Sequence, residues 1–551
     1  MTRLSCGADT LADTLCRLGA RRLFTLSGNQ IMSVFDATCD RDLDLVHVRH
    51  EAAAVHMADG WGRLTGQPGV ALVTAGPGFA NCLSALYVAL MAESPLLLIS
   101  GAAPADPRRP AAFQTMAQDQ MAATVTKASR SVLHVEDIAG EIQQAWHLAC
   151  AGRPGPVHLS LPADVLEAES AADSREPICA HAPESSPLSP ADVAAILAQL
   201  SAAKRPLILA GPAAGRHQSA AFLEAFSAGT GIPSLISESP RGAKDPGLGA
   251  FAWVLAETDM LLLLGKKVDF SLQRDGQWAF SADCRLLQIE PDPALRLSPS
   301  DVAPPHTRLA RTATADCHPA MQQLLAAASH TTCRDSSWSA AVRDAVTYTP
   351  SEWDDVRSDT GEPLKSIEVC RAVQQHLDQA DSSLLIADGG EFGQWAQACI
   401  QADRRLINGP SGSIGSAIPL ALAGRLAAPG ASIVALLGDG TFGFHASEFD
   451  TAVRYDLPFV AVVGNDACWN AEHQIQLRKY GAGRTTGCRL YPTRYDQVVR
   501  GLGGHGELVT RREDLADALA RAAKSAQPAC INVAICGDPA PDLAHVQIGA
   551  P

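Results

Sequence analysis

The sequence predicts an α/β protein made of three doubly wound parallel-sheet domains. Short apolar runs alternate with stretches long enough for helices, the rhythm of a parallel sheet covered on both faces. Two polar stretches without apolar periodicity, 167–190 and 330–363, interrupt that rhythm and read as linkers. At 551 residues the chain is also too long for one hydrophobic core. Domains over 1–166, 191–329 and 364–551 follow.

In the first domain strands are expected at 45–48, 70–74, 96–100 and 157–161. The stretch 82–103 is the most apolar of the chain, yet Glu93 and Pro95 interrupt it. It reads as a buried helix, a turn and a strand, and no membrane span is expected. The central domain should hold strands at 206–210, 260–264 and 286–289, and the third at 384–387, 432–437, 459–463 and 529–533. The first and third domains share length and rhythm.

Composition narrows the partners. Acidic residues outnumber basic ones 59 to 44, and a formal charge of -15 repels phosphate backbones and anionic lipid alike. Nucleic acid and membrane surfaces are therefore not expected. Fifteen cysteines stand singly with no CxxC pair, and the first residues lack the basic-then-apolar pattern of a signal peptide. A reducing cytoplasm is the expected location.

The sharpest motif is Gly438-Asp439-Gly440, followed after 24 residues by Asn465-Asp466. A strand over 432–437 ends at the first, a helix over 445–455 returns, and a strand over 459–463 ends at the second, a βαβ unit. Neighbouring strands lie about 4.8 Å apart, so Asp439 and Asp466 converge at the carboxyl edge of the sheet, where open α/β sheets bind ligands. Two hard oxygen ligands beside the free amides of Gly440 and Thr441 suit a magnesium-bound diphosphate. Two plainer readings stay open. Residues 438–443 also satisfy the GxGxxG of dinucleotide sites, although an acid inside that loop repels a pyrophosphate unless a metal neutralises it. The glycines and acids can also be ordinary turn and cap residues.

Two more features lie in the first domain. Arg49-His50-Glu51-Ala52-Ala53-Ala54 follows a strand and opens an Ala-rich helix, where Glu51 is at least a helix N-terminal acid. Gly76-Pro77-Gly78 and Asn81 follow the strand at 70–74 and form a turn that lets a ligand approach the backbone closely. Each has a bland explanation alone; the three in this order are far more specific.

On these residues, together with 71–76, Gly412-Ser413-Ile414-Gly415 and the ending 528–534, the chain resembles the thiamine-diphosphate enzyme superfamily over essentially its whole length. The branch it resembles is the acetolactate synthase-like one, with benzaldehyde lyase nearest. The resemblance implies an aminopyrimidine-binding first domain, a diphosphate- and magnesium-binding third domain, and an active site between two subunits. A homodimer is then the minimum and a homotetramer the expected assembly. Glu51 would hydrogen-bond the aminopyrimidine and promote proton removal from the thiazolium carbon. Pro77 and Asn81 would line the cofactor, the Gly412, Ser413 and Ile414 segment would face its ring, and Ile414 would hold its bent shape. Gly438, Asp439, Gly440, Thr441 and Asp466 would hold the diphosphate end, with Asp439, Asp466 and the Cys468 carbonyl as magnesium ligands.

Several residues depart from that pattern. Asp466 stands where asparagine is usual, so two carboxylates face one ion. Gln30 stands where benzaldehyde lyase has a histidine, replacing a proton shuttle with an amide that does not titrate. Gln114 matches a substrate-facing glutamine, and Gln30, Gln114 and Glu51 form the expected catalytic set. Trp469, Asn470, Glu472 and His473 occupy the stretch that shapes substrate access in relatives, while Glu391-Phe392-Gly393 differs from benzaldehyde lyase. In the central domain some relatives hold FAD or ADP, and Gly211-Pro212 with Gly265-Lys266-Lys267 would permit a nucleotide. The expected activity is a carbon–carbon carboligase or lyase acting on a 2-oxo acid or 2-hydroxy ketone. The alternatives are a 2-oxo acid decarboxylase, a 2-hydroxyacyl-CoA lyase and, in another class, a non-catalytic cofactor-binding subunit.

Overall fold

A computed structural model describes residues 5–105, 112–170, 186–298 and 308–547. Three parallel sheets form within them, as the apolar rhythm requires. The first holds β1 (Arg22–Thr25), β2 (Asp44–His47), β3 (Gly69–Val73), β4 (Leu96–Ala102), β5 (Ala128–Ser131) and β6 (Pro156–Pro162), in the order β2-β1-β3-β4-β6-β5. The central sheet holds β7 (Pro206–Ala210), β8 (Ser234–Ile236), β9 (Met260–Leu264), β12 (Arg285–Glu290) and β13 (Arg308–Thr314), ordered β13-β12-β9-β7-β8. A small antiparallel pair, β10 (Gln273–Arg274) and β11 (Gln277–Trp278), lies beside it. The third sheet holds β14 (Ser383–Ala387), β15 (Arg404–Ile407), β16 (Ser432–Gly438), β17 (Val460–Asn465), β18 (His505–Val509) and β19 (Ala529–Ala534), ordered β15-β14-β16-β17-β19-β18. First and third sheets thus have the same topology.

Most of the strands anticipated from sequence are buried on both faces, such as β3 and β9, where an unbroken apolar run is the signature, and β2, half exposed, is the exception. Three expectations change. The glycine motif is itself helical. Gly438 ends β16 in extended conformation, a helix over Asp439–His445 begins at once, and a second helix, Glu448–Arg454, follows a break, in place of one helix over 445–455. The stretch 330–363 is not all linker, because it contains the helix Trp338–Val346, whose Trp338 is buried and donates its indole N–H to the Pro206 carbonyl at 2.8 Å. Its apolar face is only Trp338, Val342 and Ala345, too sparse to stand out among polar neighbours. Of the linker expected over 167–190, residues 171–185 lie outside the described ones. At its end Ser189 caps the helix Pro190–Ala202 by accepting the Asp192 N–H.

The outer domains share a core. The helix Glu51–Thr65 is capped by His50, whose Nδ1 accepts the Ala52 N–H at 3.1 Å, and it ends at Gly66 in the left-handed region. Its small residues let it lie close against the helix Ala417–Ala427 of the third domain. At Gly60 any Cβ would sit 2.9 Å from the Ala423 Cβ and from the Leu420 side chain. One buried apolar cluster runs from Val48 and Ala53 through Leu420 to Phe449, whereas the central sheet is packed by two clusters of its own.

Candidate active site

In the third sheet the strand order reverses between β14 and β16, and the crevice at such a switch point is where open α/β sheets hold ligands. Asp388 follows β14 and Asp439 follows β16, so both carboxylates stand at that edge. Asp388 is buried and accepts backbone N–H groups from Gly389 at 2.7 Å, Gly415 at 2.9 Å and Ala417 at 3.2 Å. Asn408 adds a bond from its amide to the Ser413 carbonyl at 2.9 Å. Together they hold the 412–415 loop, with Gly412 and Gly415 in the left-handed region, and place Ile414 against Gly389. Neither Asp388 nor Asn408 was picked out from sequence, although Asp388 is an acid at a strand end just as Asp439 is.

Asp439 and Asp466 do converge. β16 and β17 pair in parallel with Gly438 opposite Gly464, and the two carboxylates are near enough for each charge to act on the other. Burial pushes the Asp439 carboxyl up to about 6, and burial plus the neighbouring Asp439 charge pushes Asp466 to about 7. The Cys468 backbone beside them favours both charged forms, yet the buried Asp439 Oδ2 has no hydrogen-bond partner among the described residues. Two crowded carboxylates with a spare buried oxygen fit a hard divalent cation, which supplies the missing positive charge. Trp469 covers Gly440 so closely that a Cβ there would lie 2.6 Å from the indole, and Thr441 donates its hydroxyl to the Gly438 carbonyl at 3.0 Å.

In the first domain Glu51 occupies the first turn of its helix, buried, and accepts the Asn81 side-chain amide at 2.9 Å. Gly76 adopts a positive φ of 61°, Pro77 starts the next short helix, and Gly78 leaves the space that a side chain would take from Thr74 and Glu51. Gln30 and Gln114 also meet. The Thr74 hydroxyl donates to Gln30 Oε1 at 2.6 Å, and Gln30 Nε2 donates to Gln114 Oε1 at 2.8 Å. Gln114 is left-handed with φ 63°, and its Cβ crowds Gly76. Behind this pair, Gln118 accepts the Gly76 N–H at 2.8 Å and donates to Ser100 and to the Gly101 carbonyl, so the turn and the Gln114 loop are tied to the sheet. Sequence reading missed Thr74 and Gln118, which lie in ordinary surroundings until the fold closes.

Among the described residues no hydrogen bond joins Glu51 to the 412–415 loop or to the Asp439–Asp466 pair. Trp469, Asn470, Glu472 and His473 begin the helix Asn470–Tyr480, where Glu472 is exposed and Asn470 is engaged with the Asp538 carbonyl at 2.8 Å. At the edge of the central sheet, Arg153 donates to the Gly265 carbonyl at 2.8 Å and pairs with Glu93 and Glu290, and Glu93 takes the Ala213 N–H at 3.0 Å.

Two sheets of one topology, a glutamate at the start of a buried helix in one and a paired-carboxylate loop at the switch point of the other, define a cofactor-dependent α/β enzyme. The comparisons agree and go further. Residues 6–123 match the thiamine pyrophosphate enzyme N-terminal TPP-binding domain and residues 388–533 the C-terminal one. A protein of Mycobacterium bovis named probable acetolactate synthase is 32% identical, over 94% of this chain and 95% of its own. The 2-hydroxyacyl-CoA lyase 2 of Homo sapiens is 29% identical over 95% of this chain and 88% of its own, and the acetolactate synthase of Bacillus subtilis 26% over 96% and 93%. The chain belongs to the thiamine pyrophosphate (thiamine diphosphate) enzyme family, on its acetolactate synthase-like side. It is a thiamine-diphosphate-dependent carboligase or lyase, an enzyme that makes or breaks carbon–carbon bonds.

Proposed function

We propose that the enzyme cleaves a 2-oxo acid and passes the fragment to a second carbonyl compound, an acetolactate synthase-like carboligation. The observation that carries this reading is the Thr74–Gln30–Gln114 chain. Its two amides can orient a carbonyl oxygen but cannot supply a proton, so capture of the fragment by a second carbonyl is favoured over its release as an aldehyde. Bound thiamine diphosphate supplies the nucleophilic carbon and the electron sink. Glu51, oriented by Asn81, moves the proton that activates it. Ile414 would support the bound cofactor from the loop that Asp388 and Asn408 hold. Asp439, Asp466 and the Cys468 carbonyl would bind Mg2+, which would offset the charge of the diphosphate.

Glu51 of one subunit serves the diphosphate loop of its partner in this reading, so the dimer is the smallest active unit and a tetramer a pair of such dimers. The exposed apolar side chains beside the half-sites, Phe113, Met116 and Tyr87 in the first domain and Phe444 and Tyr491 in the third, support such an interface. Carboligation involves no net redox change, so an FAD or ADP in the central domain is not required for it.

Proton NMR of the enzyme with thiamine diphosphate, Mg2+ and pyruvate, with and without an aldehyde acceptor, tests the reading. Acetolactate or a mixed acyloin is expected. Acetaldehyde alone would move the assignment to a decarboxylase. No turnover with cofactor bound would favour the second reading, cleavage of a 2-hydroxyacyl-CoA, which rests on the relatives of that name. Glu51→Gln is expected to lower turnover by about 10² or more; near-native turnover would remove Glu51 from the chemistry.

A further inference from the structure

The segment that leads into Glu51 is fastened by the far end of the chain. Between β2 and Glu51, the Val48 N–H reaches the Thr25 carbonyl at 2.9 Å within its own domain. Others of its backbone groups bond the Glu448–Arg454 helix and the tyrosine after it. The His47 N–H donates to the Tyr455 hydroxyl at 2.8 Å, and the Arg454 guanidinium donates to the His47 carbonyl at 2.6 Å. Glu448 is fully buried, and its two oxygens accept the Arg49 N–H at 3.0 and 3.2 Å, while one of them also takes the Thr451 hydroxyl at 2.6 Å. The His445 ring packs 5.8 Å from His50 and 5.7 Å from His56, closing the seam beside these bonds.

These contacts bear on catalysis for a geometric reason. A carboxylate that holds the Arg49 amide with both oxygens fixes that peptide plane, two residues before Glu51. An anion at this end of a helix also answers its unpaired N–H groups and its dipole. A displacement of about 1 Å in a reacting group costs of order 10² in rate, so whatever fixes this turn matters to the acid it carries.

We propose that Glu448 is a positioning residue for Glu51, tying the start of its helix to the Asp439–Tyr455 run of the same chain. This rests on the role proposed for Glu51. Because Glu51 would serve one active site and Asp439 the other, the tie also joins the two sites of a dimer through each subunit.

Hydrogen exchange read by mass spectrometry on the cofactor-free protein tests the tie without any turnover. Glu448→Ala is expected to speed exchange of the 49–52 amides about tenfold, the loss of one or two buried hydrogen bonds. Glu448→Gln, which keeps one acceptor oxygen, should fall between. In the loaded enzyme Glu448→Ala should lower kcat with little change in KM, and adding Glu51→Gln should cost nothing beyond Glu51→Gln alone. Exchange within twofold of the native protein, or losses that multiply in the double variant, would overturn the proposal. If Glu448→Ala does not fold, Tyr455→Phe decides. It keeps the ring and removes only the acceptor for the His47 N–H, so faster exchange at 47–49 supports the tie and unchanged exchange overturns it. Full turnover in Glu51→Gln would overturn both readings, whereas native exchange in Glu448→Ala overturns this one alone.

Discussion

His56, His158 and His445 are buried imidazoles, and burial holds each at about 3, far below the ordinary 6.5. In the unfolded chain they take up protons near 6.5, so the unfolded state binds more protons across that gap. The stability gained by keeping them neutral is whole above pH 6.5 and is lost as pH falls toward 3, by up to about 1.4 kcal/mol per pH unit for each. The apparent melting temperature should therefore drop steeply below pH 6.5, and His445→Gln should make the drop shallower; a flat profile between pH 6.5 and 5 would contradict the burial. Residues such as Glu51, Asp439 and Asp466 were legible in the sequence because their chemistry is local, an acid placed at a helix start or strand end. Thr74, Gln118, Asp388 and Glu448 were not, because each acquires its role from a partner brought in by the fold. Glu448 and Arg49 are the extreme case, a carboxylate and an amide from opposite ends of the chain.

At the scale of elements, burial decided what could be read. Strands such as β4 and β9, covered on both faces, announce themselves as apolar runs. The outer strands β5 and β18, with sequences ASRS and HGELV, are only half covered and went unseen, as did the four-residue β1. The helix Glu51–Thr65 reads clearly, but the reason for its alanines and Gly60 appears only when the Ala417–Ala427 helix is laid against it. Gly60→Val should overpack this seam and destabilise the enzyme by about 1–3 kcal/mol, visible as a lower melting temperature. An unchanged midpoint would mean the two helices can separate without cost.

For the whole molecule, the proposed pairing of Glu51 with the diphosphate loop of a partner subunit gives a complementation test. Co-expressed Glu51→Gln and Asp439→Ala chains, each nearly inactive alone, should form hybrid dimers in which one site carries both lesions and the other neither. Random pairing then restores about a quarter of native activity. Activity no greater than the sum of the two parents would place Glu51 and Asp439 in the same chain's site. The shared core of the outer domains has a further consequence, for how the chain is made. About 350 residues separate the Glu51–Thr65 helix from the Ala417–Ala427 helix that covers it, a gap that takes a ribosome about 20–70 s to synthesise. Through that interval the first domain exists with its principal packing face bare. Its nascent chain is a natural client for chaperones that shield apolar surface until the third domain emerges.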